Sequence, residues 1–162
     1  MPRFQQRDFY FGAALSMFLR YNSDSRPTLF ENIDKTTRLI KMTTSTSDDF
    51  YVFMKYTIRQ KNCVHKYTSW NFQFSEKDKE VIQTFNSPNT PLYIFFICGI
   101  DGNTGEVAIL KYDEYLLIEH KTSVTINKEN KCDKHFNIHY AKSKKDTLPL
   151  ATNRITKKIT LL

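Results

Sequence analysis

Leu92-Tyr93-Ile94-Phe95-Phe96-Ile97-Cys98-Gly99-Ile100 is an unbroken apolar run that carries no charge. A strand sends successive side chains to opposite faces, so such a run fits a strand covered on both sides. The fold is therefore built around a sheet with a layer on each face. Phe50 to Ile58 supplies a second central strand, with Phe50, Val52, Met54, Tyr56 and Ile58 on one face and Tyr51, Phe53, Lys55 and Thr57 on the other. At 162 residues and 40% apolar composition the chain can bury one real core, and no Gly/Ser/Pro tract or internal period marks a linker or a repeat. A single α/β (α+β) domain over 1–162, with a central mixed β-sheet flanked by helices, is the expected architecture.

Asp8 is positioned to cap a first helix ending near Tyr21, with Phe11, Ala14, Leu15, Phe18 and Leu19 on its buried face. β-Branched residues between Thr28 and Thr44 predict two short strands joined near Asp34-Lys35. Trp70, Phe72 and Phe74 alternate with Asn71 and Gln73, which predicts a further strand, most simply a hairpin partner of Phe50–Ile58. Ser75-Glu76-Lys77-Asp78 resembles a capping box opening a helix that buries Val81, Ile82 and Phe85 and stops before Pro88. Asp101 to Gly105 turns the apolar strand into a partner over Glu106–Tyr112, and Asp113 is placed to cap a short helix through Ile118. Val124–Ile126 and His135–Tyr140 read as strands, and Arg154–Leu162 as either a terminal strand or a frayed end.

Charge is unevenly spread. The net +7 resides entirely in residues 120–162, where ten Lys/Arg face three acids, while the preceding residues balance at 14 of each. The carriers are Lys121, Lys128, Lys131, Lys134, Lys142, Lys144, Lys145, Arg154, Lys157 and Lys158. A basic segment is the footprint of a phosphate-backbone binder, because neutralised phosphates release counterions; a solubilising surface is the plainer alternative. Cys63, Cys98 and Cys132, odd in number and far apart, read as free thiols in a reducing compartment. With no signal-like segment and no apolar run of membrane-spanning length, a cytoplasmic protein with no membrane partner is expected.

The order of strand, strand ending in Lys55, aromatic strand, helix and apolar strand pair resembles the restriction-endonuclease-like, or PD-(D/E)xK, superfamily over residues 28–112. In those enzymes an aspartate and an acid-x-lysine converge from neighbouring strands, the carboxylates holding a divalent metal against the scissile phosphate while the lysine handles the attacking water. The resemblance implies Lys55 as the lysine and Asp34 as the upstream aspartate, with Glu31, Asp48 and Asp49 as competing acids and Mg²⁺ as cofactor. It departs at Phe53, which occupies the acid's place; an acid such as Glu31, Glu76 or Glu80 has to replace it, or catalysis is lost. What it implies is a DNA-interacting protein, a small metal-dependent endonuclease or nuclease subunit of a bacterial restriction, defence or mobile-element system. A homodimer or partner subunit fits that setting. The alternatives are a non-catalytic protein that binds nucleic acid or another protein, and a Lys55 that merely snorkels at a strand end.

Other motifs are weaker. Glu119-His120-Lys121 repeats the acid-x-lysine triplet, with Asp101 and Asp113 upstream, but follows a helix. Cys132, His135 and His139, with Cys63 and His65, suggest zinc, yet on a strand His135 and His139 stand roughly 13 Å apart. Tyr67, Trp70, Phe72 and Phe74 beside Arg59, Lys61 and Lys66 offer either a base-stacking platform or, from their period of two, core packing. Nucleophile elbows and nucleotide-binding glycine loops are lacking.

Overall fold

The computed structural model describes residues 2–59, 66–100, 104–131, 134–141 and 145–162. Helix α1 (Gln6–Tyr21) opens the chain. Its N-cap is Gln5, and Asp8 sits three residues further in, where its carboxylate accepts the Gln5 backbone N–H at 2.9 Å. Asp8 thus closes the first turn from inside rather than capping it.

Strands β1 (Ser25–Asn32), β2 (Thr37–Thr44) and β3 (Phe50–Ile58) form an antiparallel meander. β3 then pairs in parallel with β5 (Leu92–Ile100), which pairs antiparallel with β6 (Thr104–Leu110). The result is a mixed five-stranded sheet in the order β1-β2-β3-β5-β6.

Strand β4 (Tyr67–Gln73) is not the hairpin partner of β3. Both edges of β3 are already taken, by β2 and β5, so the aromatic strand crosses into a second sheet. There it joins β7 (Ser123–Glu129), β8 (His135–His139) and β9 (Thr147–Ala151), all antiparallel, in the order β4-β7-β8-β9. Helix α2 (Glu76–Phe85) follows β4 and leads back to β5; the short α3 (Tyr112–Tyr115) follows β6. The final residues are neither strand nor frayed: Arg154–Thr156 and Ile159–Leu161 are 3₁₀ turns whose Ile155 and Ile159 are buried.

Two cores lie on opposite faces of the five-stranded sheet. Phe50, Val52, Met54, Phe95 and Ile97 pack beneath α1, whose Phe11, Ala14 and Phe18 are buried there with Ile155 and Ile159. On the other face Phe53, Ile94, Phe96 and Cys98 meet Trp70, Phe72, Ile126, Phe136 and Ile138 of the second sheet and Ile82 of α2. Trp70, Phe72 and Phe74 are buried, so these aromatics form core and not an exposed platform. The Trp70 indole N–H donates to the Gly99 carbonyl at 2.9 Å, tying the two sheets together.

Tyr10 of α1 lies over Gly99 and Gly105, which face each other on β5 and β6. A Cβ on Gly99 would come within 3.1 Å of both the Thr57 carbonyl oxygen and the Tyr10 ring. Two glycines in register thus admit an aromatic ring to the sheet surface, where the Tyr10 hydroxyl donates to the Ile100 carbonyl. No helix among the described residues is long and apolar enough to cross a membrane.

Candidate functional site

Lys55 lies on the β3 face turned toward the second sheet, directly across from Thr37 on β2. It is 4% exposed, and its ammonium donates to the Thr37 hydroxyl at 2.9 Å and to Asp78 Oδ2 at 2.8 Å. The Phe74 ring centroid lies 5.5 Å from the same nitrogen. Two oxygens and an aromatic face replace the water that burial removed.

Asp78 comes from the first turn of α2. Ser75 caps that helix by accepting the Asp78 backbone N–H at 3.1 Å, and Asp78 Oδ2 accepts the Ser75 N–H in return at 2.9 Å. One carboxylate oxygen therefore serves both the cap and the lysine, and the helix N-terminus favours a negative charge there. Asp78 Oδ1, also buried, has no hydrogen-bond partner among the described residues. Ile82, one helical turn on, is fully buried, so the inward face of α2 includes the aspartate. That spacing is the signal by which sequence reasoning could have found Asp78, which its place in the capping box conceals.

Phe53 shares the Lys55 face and is fully buried, its ring 6.3 Å from that of Phe74. The place an acid would take is filled by hydrocarbon. Asp34 sits in the turn between β1 and β2, where its Oδ1 accepts the Thr36 N–H at 2.7 Å and the Thr36 hydroxyl at 2.9 Å. Burial pushes its pKa up, but the Thr36 donors and the nearby charge of Lys55 outweigh that and hold it below the ordinary value. Asp34, Thr36, Lys55, Asn71, Gln73 and Asp78 line one cleft of about 240 Å³.

The other acids lie elsewhere. Glu31 is on edge strand β1 opposite Leu39, and Asp49 precedes β3 at the end of that strand away from Lys55, accepting the Thr44 N–H at 3.2 Å. Asp48 accepts the Thr46 hydroxyl in the same turn. Among the described residues no three His, Cys, Asp or Glu side chains come together in a way that could hold a metal. Asp34 and Asp78 are hard oxygen donors of the kind Mg²⁺ takes, often only one or two carboxylates at a time, so they fit it in kind. Asp78 Oδ2, however, is already occupied by Lys55 and Ser75.

The basic segment is divided by its own turns. Lys128 forms an ion pair with Glu106 at 2.6 Å, Arg154 binds both oxygens of Glu114 at 2.6 and 2.8 Å, and Lys158 lies 3.7 Å from Asp24. Lys131 and Lys134 are exposed at the β7–β8 turn, whereas Lys121 precedes β7 and Lys145 precedes β9 at the other end of that sheet. Lys157 is exposed between the 3₁₀ turns. Lys142 and Lys144 lie outside the described residues, as do Lys61, Cys63, His65, Asp101 and Cys132. His139 shares a 2.8 Å hydrogen bond with the Asn127 amide. Cys98 is wholly buried, and that burial raises its thiol well above the usual value. A larger hollow of about 440 Å³ between α1 and the first 3₁₀ turn lies on the α1 side of the five-stranded sheet, opposite the face that carries Lys55, and is lined largely by apolar side chains such as Met17 and Val107.

No protein-family model, curated protein or solved structure matches this chain.

Proposed function

We propose that this chain is a nucleic-acid-binding protein on a nuclease-like core, with Lys55 and Asp78 acting as an internal ion pair and not as a hydrolytic centre. The observation that carries this reading is the ammonium of Lys55, 4% exposed and bonded to Thr37 and Asp78, beside a phenyl ring at the acid position. Two of the three ammonium donors are taken by these oxygens and the Phe74 ring lies 5.5 Å from the nitrogen, which favours a structural role over contact with a phosphate or an attacking water. The nuclease-like element rests on the meander β1-β2-β3, the return through α2 and the parallel β3–β5 pairing. Nucleic acid as partner rests on the net charge of +7 and the exposed lysines at the sheet turns.

A second reading is favoured by the unpartnered Asp78 Oδ1 and by Asp34 in the same cleft. In it Asp34 and Asp78 would hold Mg²⁺, whose charge stabilises a scissile phosphate, and Lys55 would orient water. One experiment separates the two. The protein is incubated with plasmid and single-stranded DNA in Mg²⁺, while binding is followed against salt. The expected result is no cleavage, with log affinity falling linearly as log salt rises. Cleavage that disappears in folded Asp34→Ala and Asp78→Asn variants overturns the first reading in favour of the second. Binding indifferent to salt removes nucleic acid from both.

A further inference from the structure

The four-stranded sheet buries one face and presents the other. Outward positions alternate with buried Phe72, Val124, Ile126, Phe136 and Ile138 and carry Asn71, Gln73, Thr125, Asn127, Asn137 and His139. Asn71 stands opposite Thr125, and Asn127 opposite Asn137. These side chains hold one another in place. The Gln73 amide donates to Asn71 at 2.6 Å, Asn71 donates to the Thr125 hydroxyl at 3.2 Å, and Asn127 meets His139 at 2.8 Å.

One end of this uncharged face is rimmed by cations. Asn130 N–H bonds the Lys66 carbonyl at 3.0 Å, and Thr152 N–H bonds the Lys134 carbonyl at 3.1 Å. The first bond and the antiparallel pairing of β4 with β7 and of β7 with β8 place exposed Lys66, Lys131 and Lys134 at one end of the sheet, with partly exposed Tyr67 and Glu129. At the other end Lys121 adjoins the β8–β9 turn, lining a shallow cleft with His120 and Ala141.

From this juxtaposition we infer that the outer face of the β4-β7-β8-β9 sheet binds single-stranded nucleic acid, its phosphates on the Lys66, Lys131 and Lys134 rim and its bases on the amide face. The inference rests on the nucleic-acid reading above and goes further by fixing the surface and the form of the strand. Charge complementarity selects a polyanion: an uncharged protein or sugar partner uses the amides but has no need of the rim. Width selects the single strand. Four strands about 4.8 Å apart, with their side chains, exceed the roughly 12 Å major groove, so this face cannot reach paired base edges. Unpaired bases lay their edges against amides and their rings against Tyr67 or an imidazole.

The test is fluorescence anisotropy with dye-labelled single-stranded and duplex oligonucleotides over a salt series. The proteins are wild type, Lys131→Gln/Lys134→Gln, and Asn137→Ala, each checked for native Trp70 emission. Single strands are expected to bind at least about tenfold more tightly than duplex. The lysine variant should lower the salt slope by about 1.4, at about 0.7 per phosphate contact. Asn137→Ala should weaken binding severalfold with the slope unchanged. Duplex preferred over single strand, or both variants binding as wild type does, overturns the inference while leaving a nucleic-acid binder in place. No binding of any oligonucleotide at low salt removes both.

Discussion

An ammonium withdrawn from water is tolerated only while its partners remain, and Lys55 has two oxygen partners, on β2 and α2. Removing one member of such a buried pair costs about 3–5 kcal/mol, whereas replacing both by groups of similar shape costs far less. Lys55→Ala is therefore expected to lower the urea-unfolding free energy by about that amount. Lys55→Met/Asp78→Asn should lose much less than the two single variants together, since the amide oxygen introduced at position 78 can still accept the Ser75 N–H. Additive losses would show that the pair is not coupled. Glu114 offers a pH test. Burial raises its pKa, but bonds from Arg154 and the Lys111 N–H prevail and hold it below the ordinary carboxylate value. The stability it contributes is full above the ordinary value of 4.5 and is lost as pH falls through the lowered folded value. Glu114→Gln should flatten that part of the stability curve in acid; an unchanged acid slope would assign it to other carboxylates.

Among the elements, β3 and β5 begin and end where the apolar pattern starts and stops, at Phe50–Ile58 and Leu92–Ile100. Periodicity carries that information because both strands are buried on both faces. It does not carry the identity of a neighbour. Alternation in Trp70 and Phe72 fixes which side faces the core, and both a hairpin with β3 and a place in a second sheet satisfy it; the occupied edges of β3 decide. Strand β9 was illegible because Pro149 breaks the strand pattern, a residue tolerated at the sheet edge where β9 lies. At the site, Lys55 and Asp34 were legible from the order of elements, while Asp78 was hidden behind its role as a capping acid. The tight seat of Tyr10 makes an element-scale prediction. Gly99→Ala forces a methyl to 3.1 Å from the Thr57 carbonyl oxygen, which belongs to the sheet and cannot easily give way. About 1–3 kcal/mol of stability should be lost in thermal or urea unfolding. An unchanged midpoint would mean that both the β3 backbone at Thr57 and the Tyr10 ring give way without cost.

At the scale of the molecule, the chain visits the first sheet through β1, β2 and β3, leaves it for β4, returns for β5 and β6, and only then completes the second sheet. Neither sheet is assembled from one continuous stretch. Contacts so distant in sequence slow folding and join the layers into one cooperative unit. The emission of Trp70, which spans the two sheets, and the far-ultraviolet circular dichroism should trace a single coincident urea transition. Separate midpoints would reveal two independently melting halves. The consequence reaches fragment design: no piece that ends before β7 can hold the five-stranded sheet without an unmated strand, because any segment long enough to hold β3 and β5 also carries β4, an aromatic ribbon whose hydrogen-bonding mate arrives only after α3.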